Sequence, residues 1–458
     1  MSAVSPARSS HEPDGTPPRE VDWLLADADW VLTCDAAMSA IPSGAVAIGG
    51  DTLLGVGSSR DIRSRFRGRN EMCLKGCLVA PGLINTHGHA AMSCFRGLGS
   101  DLPLERWLTE VIFPAEALHV TPEFVHYGTL LSCIEMLKGG TTTFCDGYFF
   151  EEEAARAAQE SGIRAVLGQG ILDFPTPDQP DPSRFAERAE AFLRSFPPGE
   201  SRLQPSLFCH SISACGPETL RRVKSICRES GILFQIHLSE TASEVEQVID
   251  RYGTRPVHHL DRLGILDDRT LCAHAVWLDR EEIDILAARG AGVSHNEESN
   301  MKLASGIAPV PELIAAGVRI GLGTDGCASN NDLDLFSEMD MVAKSHKAFR
   351  KDPMACSAAA VLRMATRGGS AVLSHQGITG GIEEGGKADL IVIDLDQPHL
   401  TPLYDPISHL VYSAGAGDVR HVWVDGRLVV SNGTILTLDE SRIMKEVLRI
   451  AGKIAGTS

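Results

Sequence analysis

Six short apolar runs of this chain each end in, or are followed at once by, a side chain that can bind a metal or move a proton. Residues 78–86 precede His87-Gly88-His89, 204–209 precede His210, and 233–236 precede His237, with Glu240 just beyond. Residues 270–273 precede His274, 292–294 precede His295, and 320–323 lead to Asp325. One such His is usually a satisfied structural residue; a set that converges on one mouth is a site. Residues two apart in a strand face the same way, so His87 and His89 can present both imidazoles to one ion, with Gly88 leaving room. His237 and Asp325 complete a nitrogen-rich, partly anionic set that suits Zn²⁺ or Fe²⁺ and leaves a position for water. Such an ion lowers the pKa of its water towards neutrality and yields a hydroxide nucleophile. Glu240, three residues past a ligand, is then placed to shuttle a proton between that water and a substrate.

Convergence needs a scaffold. Two more apolar runs, 141–145 and 165–168, bring the number of expected strands to eight. Amphipathic stretches alternate with them, with helices expected at 122–137, 151–160, 183–194, 217–229, 281–289 and 310–316. Eight βα units predict a closed (β/α)8 TIM barrel, whose sites lie at the C-terminal ends of the strands. Before and after this middle come short β-like runs, at 23–25, 30–34, 44–48 and 52–56, and again at 388–394, 421–424 and 427–430. Neither end is long enough to bury its own core, so both are expected to share one small composite β-sandwich domain. The resulting division is a disordered Ser- and Pro-rich leader over 1–20, a composite β-domain from 21–80 plus 387–458, and a catalytic barrel over 81–386.

Composition excludes several classes. The 458 residues are 43% apolar and 22% charged, as in ordinary globular proteins. The net charge of −18 repels a phosphate backbone, so nucleic acid is not an expected partner. No apolar run reaches the roughly 18 to 20 residues that span a bilayer, so no membrane association is expected. Twelve scattered cysteines read as buried reduced thiols of a cytoplasmic protein. Gly381 to Lys387 imitates a phosphate-binding loop, but Ala388 stands where a hydroxyl must meet Mg²⁺ and a strand follows instead of a helix.

Several segments are similar to one superfamily. Pro81-Gly82-Leu83-Ile84-Asn85-Thr86-His87-Gly88-His89 resembles the first-strand signature of the amidohydrolase superfamily. Ile236-His237-Leu238-Ser239-Glu240-Thr241 resembles the fifth-strand motif of its ATZ/TRZ branch. Gly323-Thr324-Asp325-Gly326, Met301 to Gly306 and Gly386 to Leu390 match that branch too. The group most similar is the 5′-methylthioadenosine/S-adenosylhomocysteine deaminases. The resemblance implies one divalent metal per subunit, zinc or iron, held by His87, His89, His237 and Asp325, with Glu240, His274 and Asp325 as the catalytic proton carriers. It also implies that Trp107 contacts the base, Glu116 binds ribose hydroxyls, and His210, Glu240 and His274 meet the purine. A homo-oligomer, dimer or tetramer, is implied as well.

Two departures bear on the substrate. Gln169 stands where an Arg often meets the polar tail of the nucleoside, leaving Arg184 as a second source of charge. Glu297 stands where Pro is common. The expected reaction is hydrolytic deamination of an aminopurine nucleoside, with attack at C6 and release of ammonia. The alternatives are the same chemistry on another amino- or chloro-substituted heterocycle (an s-triazine, guanine or a pterin) and a non-catalytic scaffold. A binuclear centre is disfavoured, because 204–210 offer no Lys to bridge two metals.

Overall fold

A computed structural model describes residues 17–196, 202–373 and 380–456. Within it, eight parallel strands close into a barrel. They are β1 (Leu83–Gly88), β2 (Thr141–Tyr148), β3 (Arg164–Ile171), β4 (Leu203–Cys209), β5 (Leu233–Leu238), β6 (Thr270–His274), β7 (Gly292–His295) and β8 (Arg319–Leu322). Each pairs with the next, and β8 returns to β1 through Leu322 and Asn85. β1, β2, β3 and β5 are buried at every position, as strands covered on both faces must be.

The expected first strand is in fact two. Cys77–Pro81 pairs antiparallel with Leu390–Asp394 in the terminal sheet, and only Leu83–Gly88 enters the barrel. The break is at Gly82, where a Cβ would lie 2.0 Å from the Thr142 hydroxyl. Only a residue without a side chain lets the backbone change sheets against β2.

The helices expected between the strands are found as Pro122–Lys138, Glu151–Ser161, Phe185–Ser195, Pro217–Ser230, Arg280–Arg289 and Val310–Ala315. Their starts have chemical causes. The Thr121 hydroxyl accepts from the Phe124 N–H, and Asp279 and Glu282 form a reciprocal capping box. Ala242–Tyr252, Pro256–Leu263 and Leu335–Arg350 are further helices of the middle segment. The final helix, Glu440–Ile454, lies on Pro122–Lys138 through Lys138–Glu440 (2.9 Å) and Arg449–Glu123 (2.7 Å).

Both chain ends form one nine-stranded sheet, with Arg19–Leu32, Ala40–Gly49 and Thr52–Ser58 from the front and Leu390–Asp394, Val419–Val424 and Arg427–Ser431 from the back. Though hydrogen-bonded continuously, it packs upon itself as a sandwich does. Leu25, Val31, Val46 and Ile48 share a buried cluster with Leu390, Val392 and Trp423, and the Trp23 ring meets Trp423 edge-on at 5.6 Å. The other face is covered by the helix Ser59–Arg65, which buries Ile62 against Val21, Leu24 and Phe66. Most of the expected leader lies outside the described residues, and its last two positions, Arg19 and Glu20, already belong to a strand.

Sheet and barrel are joined by charge. Arg164, fully buried at the start of β3, donates to Asp389 at 3.0 Å and to Asp425 at 2.6 Å. Among the described residues no helix is long and apolar enough to cross a membrane. At the end of the Gly381–Lys387 segment Lys387 pairs with Asp51, and the strand Leu390–Asp394 follows in place of a helix.

Candidate active site

The C-terminal rim of the barrel gathers side chains from five strands. His87 closes β1 and His89 follows it, His237 lies in β5, and Asp325 stands three residues past β8. His87 Nε2 is 3.2 Å from His237 Nε2, and Asp325 Oδ1 is 3.4 Å from His87 Nε2 and 3.3 Å from His89 Nε2. Donor atoms about 2.0 to 2.1 Å from one ion stand roughly 3 Å or more apart, so these three separations are those of atoms that can share a metal. Two imidazole nitrogens facing each other at 3.2 Å make better sense as co-ligands than as neighbours. The donor set and its spacing fit a divalent metal ion.

The supporting groups aim each donor. The Gly147 carbonyl takes His89 Nδ1 at 2.6 Å, which turns Nε2 inwards, and Asp146 accepts from the Ala90 N–H at 2.8 Å to hold the turn. Asp325 Oδ2 accepts from the hydroxyls of Ser299 and Ser329, both at 2.7 Å, leaving Oδ1 to face the histidines. Gly323 is required here: a Cβ would stand 2.5 Å from Asn296 Oδ1 and 2.8 Å from the His87 nitrogen. Asp325 and His274 both occupy the left-handed region, at φ +60° and +70°. Such residues cost about 1 to 3 kcal/mol each and cluster where a site demands them.

Burial holds the His87 and His210 pKa values down at about 4 and His237 well below its ordinary value. These are neutral imidazoles, the form that binds metal. Burial also disfavours charge on His89 and on Asp325, but hydrogen bonding outweighs it: the bond to Asp325 lifts His89 to about 9, and bonds with His87 and His89 hold Asp325 well below the carboxylate range. A cation would take the place of that proton beside Asp325.

Glu240 lies beyond β5, its Oε1 accepting from the Ser305 hydroxyl at 3.4 Å and its Oε2 3.8 Å from His274 Nε2. Burial raises its pKa, as suits a group that must carry a proton near neutral pH. His274 Nδ1 meets Asn300 Oδ1 at 2.8 Å, so its Nε2 is free to face the ligand cluster.

These groups floor a cavity of about 260 Å³. Trp107, Glu116 and His210, expected to meet substrate, all line it. The Trp107 indole N–H donates to the Leu98 carbonyl at 3.1 Å, so the ring offers an apolar face rather than a donor. Glu116 accepts from the Tyr148 hydroxyl at 2.7 Å, and burial lifts its pKa to about 7. His210 stacks edge-on to His237, ring centres 4.8 Å apart, with Nδ1 buried and unpaired.

Gln169 is not brought to the cavity. Its side chain is fully buried and donates to the Gly170 carbonyl (3.0 Å) and to Asp178 (2.8 Å); the next residue, Gly170, lines the wall instead. The period-two alternation of β3 turns position 169 outwards from the mouth. His295 is likewise outside the ring of site groups. It stands 3.1 Å from Glu297, which His346 approaches to 4.0 Å, and all three are fully buried. Glu297 therefore belongs to a buried cluster and is not among the residues that line the cavity. Ser299, Asn300, Ser305, Ser329 and Asp146 went unrecognised in the sequence. Four of them lie in or beside segments with recognisable motifs, but small polar residues announce no chemistry until a partner is known.

The sequence of residues 78–429 matches the model of the amidohydrolase family. The chain is 47% identical, over 94% of its length and 98% of the relative, to 5-methylthioadenosine/S-adenosylhomocysteine deaminase of Syntrophobacter fumaroxidans. It is 41% identical to 5′-deoxyadenosine deaminase of Methanosarcina mazei, over 94% of this chain and 98% of that one. A crystal structure of an adenosine deaminase from Xanthomonas campestris with bound zinc superposes with a TM-score of 0.94 at 35% identity, covering 96% of this chain and 100% of that one. Barrel, rim cluster and sequence agree: the chain belongs to the amidohydrolase family.

Proposed function

We propose that this chain hydrolytically deaminates adenine nucleosides of the 5′-methylthioadenosine, S-adenosylhomocysteine, 5′-deoxyadenosine and adenosine type. The observation that carries the reading is the chain of 3.2 to 3.4 Å separations that links His237, His87, Asp325 and His89 beside a cavity lined by Glu240 and His274. Bound there, one divalent cation per subunit, zinc by the donor set, supplies the Lewis acidity that makes water nucleophilic at neutral pH. The protein residues manage the protons. Glu240, kept protonated more readily by burial, donates to the ring nitrogen beside C6 as the water oxygen adds to that carbon. Asp325 and His274 accept one proton of the water and pass it to the amino group; as the C6–N bond breaks and ammonia leaves, the second proton of the water returns to Glu240 and C6 becomes a carbonyl. Trp107 supplies an apolar wall for the base, Glu116 acceptors for the ribose hydroxyls, and His210 its ring for the purine.

The same reading includes the division into a composite β-domain (21–80 plus 387–458) and a catalytic barrel (81–386), assembly as a homodimer or homotetramer, and residence in the cytoplasm. The last is supported by the cysteines: all twelve are free thiols and all but Cys73 are buried. The test is ammonia release from methylthioadenosine, S-adenosylhomocysteine and adenosine, before chelation, after it, and after zinc is restored. Activity should vanish with the metal and return with it. A zinc-loaded protein inert towards all three nucleosides would sink the reading.

A further inference from the structure

Beyond the floor, the cavity is walled by aromatic rings. From His237 the wall passes to His210 (ring centres 4.8 Å), then Phe113 (6.3 Å), then Phe174 at the mouth (6.0 Å). Leu172, Pro175 and Pro177 continue that apolar lip. No Lys or Arg of the described residues lines this cavity, while the carboxylates of Glu116, Glu240 and Asp325 do.

The cations near the mouth are engaged elsewhere. Asp178, buried behind the lip, receives Arg188 (3.1 Å), Gln169 (2.8 Å), the Phe150 N–H (3.0 Å) and the Thr176 hydroxyl (2.9 Å). Arg188 also donates to Glu152 at 2.6 Å. Arg184, the other source of charge that the sequence offered, turns to the surface and pairs with Glu187 at 2.9 Å. Lys302 lines an adjoining groove that shares His210, His237 and Glu240 with this cavity, on the side away from Phe174, and its ammonium is bound to Asn331.

We infer that the outer cavity selects an uncharged, apolar 5′ substituent, such as methylthio or a bare methyl, over an amino-acid tail. The inference rests on the deaminase reading and concerns which nucleosides that same site prefers. A nucleoside bound with its amino group at the rim cluster and its ribose by Glu116 sends the 5′ substituent towards Phe113 and Phe174. An apolar group there gains burial. The carboxylate of an amino-acid tail meets no Lys or Arg among the described residues of that wall and must shed water beside aromatic rings. Because Phe174 is 40% exposed, solvent softens the penalty. The expected discrimination is accordingly about tenfold rather than that of a fully buried charge.

The experiment compares kcat/KM for methylthioadenosine, 5′-deoxyadenosine and S-adenosylhomocysteine on the metal-loaded full chain. The first two should exceed the third by at least about tenfold, a factor worth about 1.4 kcal/mol. Phe174→Arg, at a half-exposed position, should narrow the gap by raising the rate on S-adenosylhomocysteine. Equal or better turnover of S-adenosylhomocysteine by the unaltered protein overturns the inference, as does a gap that Phe174→Arg leaves unchanged. Ammonia from none of the three, in contrast, overturns the deaminase reading itself.

Discussion

Replacing Glu240 by Gln isolates proton transfer from everything else the site does. The amide has nearly the volume of the carboxyl group and keeps an oxygen to accept from the Ser305 hydroxyl, which stands 3.4 Å from Oε1. Glu240 is not among the residues whose donor atoms meet at the metal cluster, so the ion should stay. What is lost is the capacity to deliver a proton, in a carboxyl group that burial has tuned upwards for that work. General acid–base groups contribute about 10² to 10⁴ in rate, or roughly 3 to 5 kcal/mol of barrier. We expect Glu240→Gln to lower kcat by that factor with KM and bound metal little changed. The assay pairs steady-state ammonia release with elemental analysis of the same preparation. Near-normal turnover in a variant that retains its metal would refute the acid–base assignment; lost metal would show that Glu240 supports the ligand cluster instead.

Three other perturbations probe the surroundings. Ser299→Ala with Ser329→Ala removes both hydroxyls that hold Asp325 Oδ2, and metal affinity should fall about 10- to 100-fold, measured by chelator competition; unchanged affinity removes their orienting role. Arg164→Ala strands the carboxylates of Asp389 and Asp425 between sheet and barrel, so denaturant unfolding should show a loss of about 3 to 5 kcal/mol, and a loss below about 1 kcal/mol would contradict the joint. Burial raises the Glu116 pKa from 4.5 to about 7, so the folded state binds the proton more tightly than the unfolded chain does. Its contribution to stability is present in full below pH 4.5 and is lost as pH rises through 7, by about 3 kcal/mol at most. Glu116→Gln should flatten that part of the stability profile, and an unaltered slope between pH 4.5 and 7 would count against the burial argument.

Much of the fold was legible because parallel barrel strands are short, apolar and punctuated by helices with recognisable caps. The strand ends were legible for a related reason: in this architecture the chemistry must stand at the C-terminal rim, so His87, His89, His237, Glu240, His274 and Asp325 declare themselves by following an apolar run. The same rule over-reached at His295, which closes β7 yet packs against Glu297 and His346. Gln169 went astray through strand parity, since a residue one step along β3 faces the other way.

The local sequence by itself determined the types and order of the elements and which residues are candidate ligands, because both depend on neighbours a few residues apart. Which strand end turns its side chain inwards, where the chain crosses from sheet to barrel at Gly82, and which serines steady Asp325 were decided only by tertiary structure. Those outcomes depend on contacts between residues separated by tens to hundreds of positions, such as Asn85 with Thr324 or Arg164 with Asp425. The charge of the outer cavity is of the same kind: Arg184 and Arg188 are present in the chain, but packing commits them to Glu187, Glu152 and Asp178.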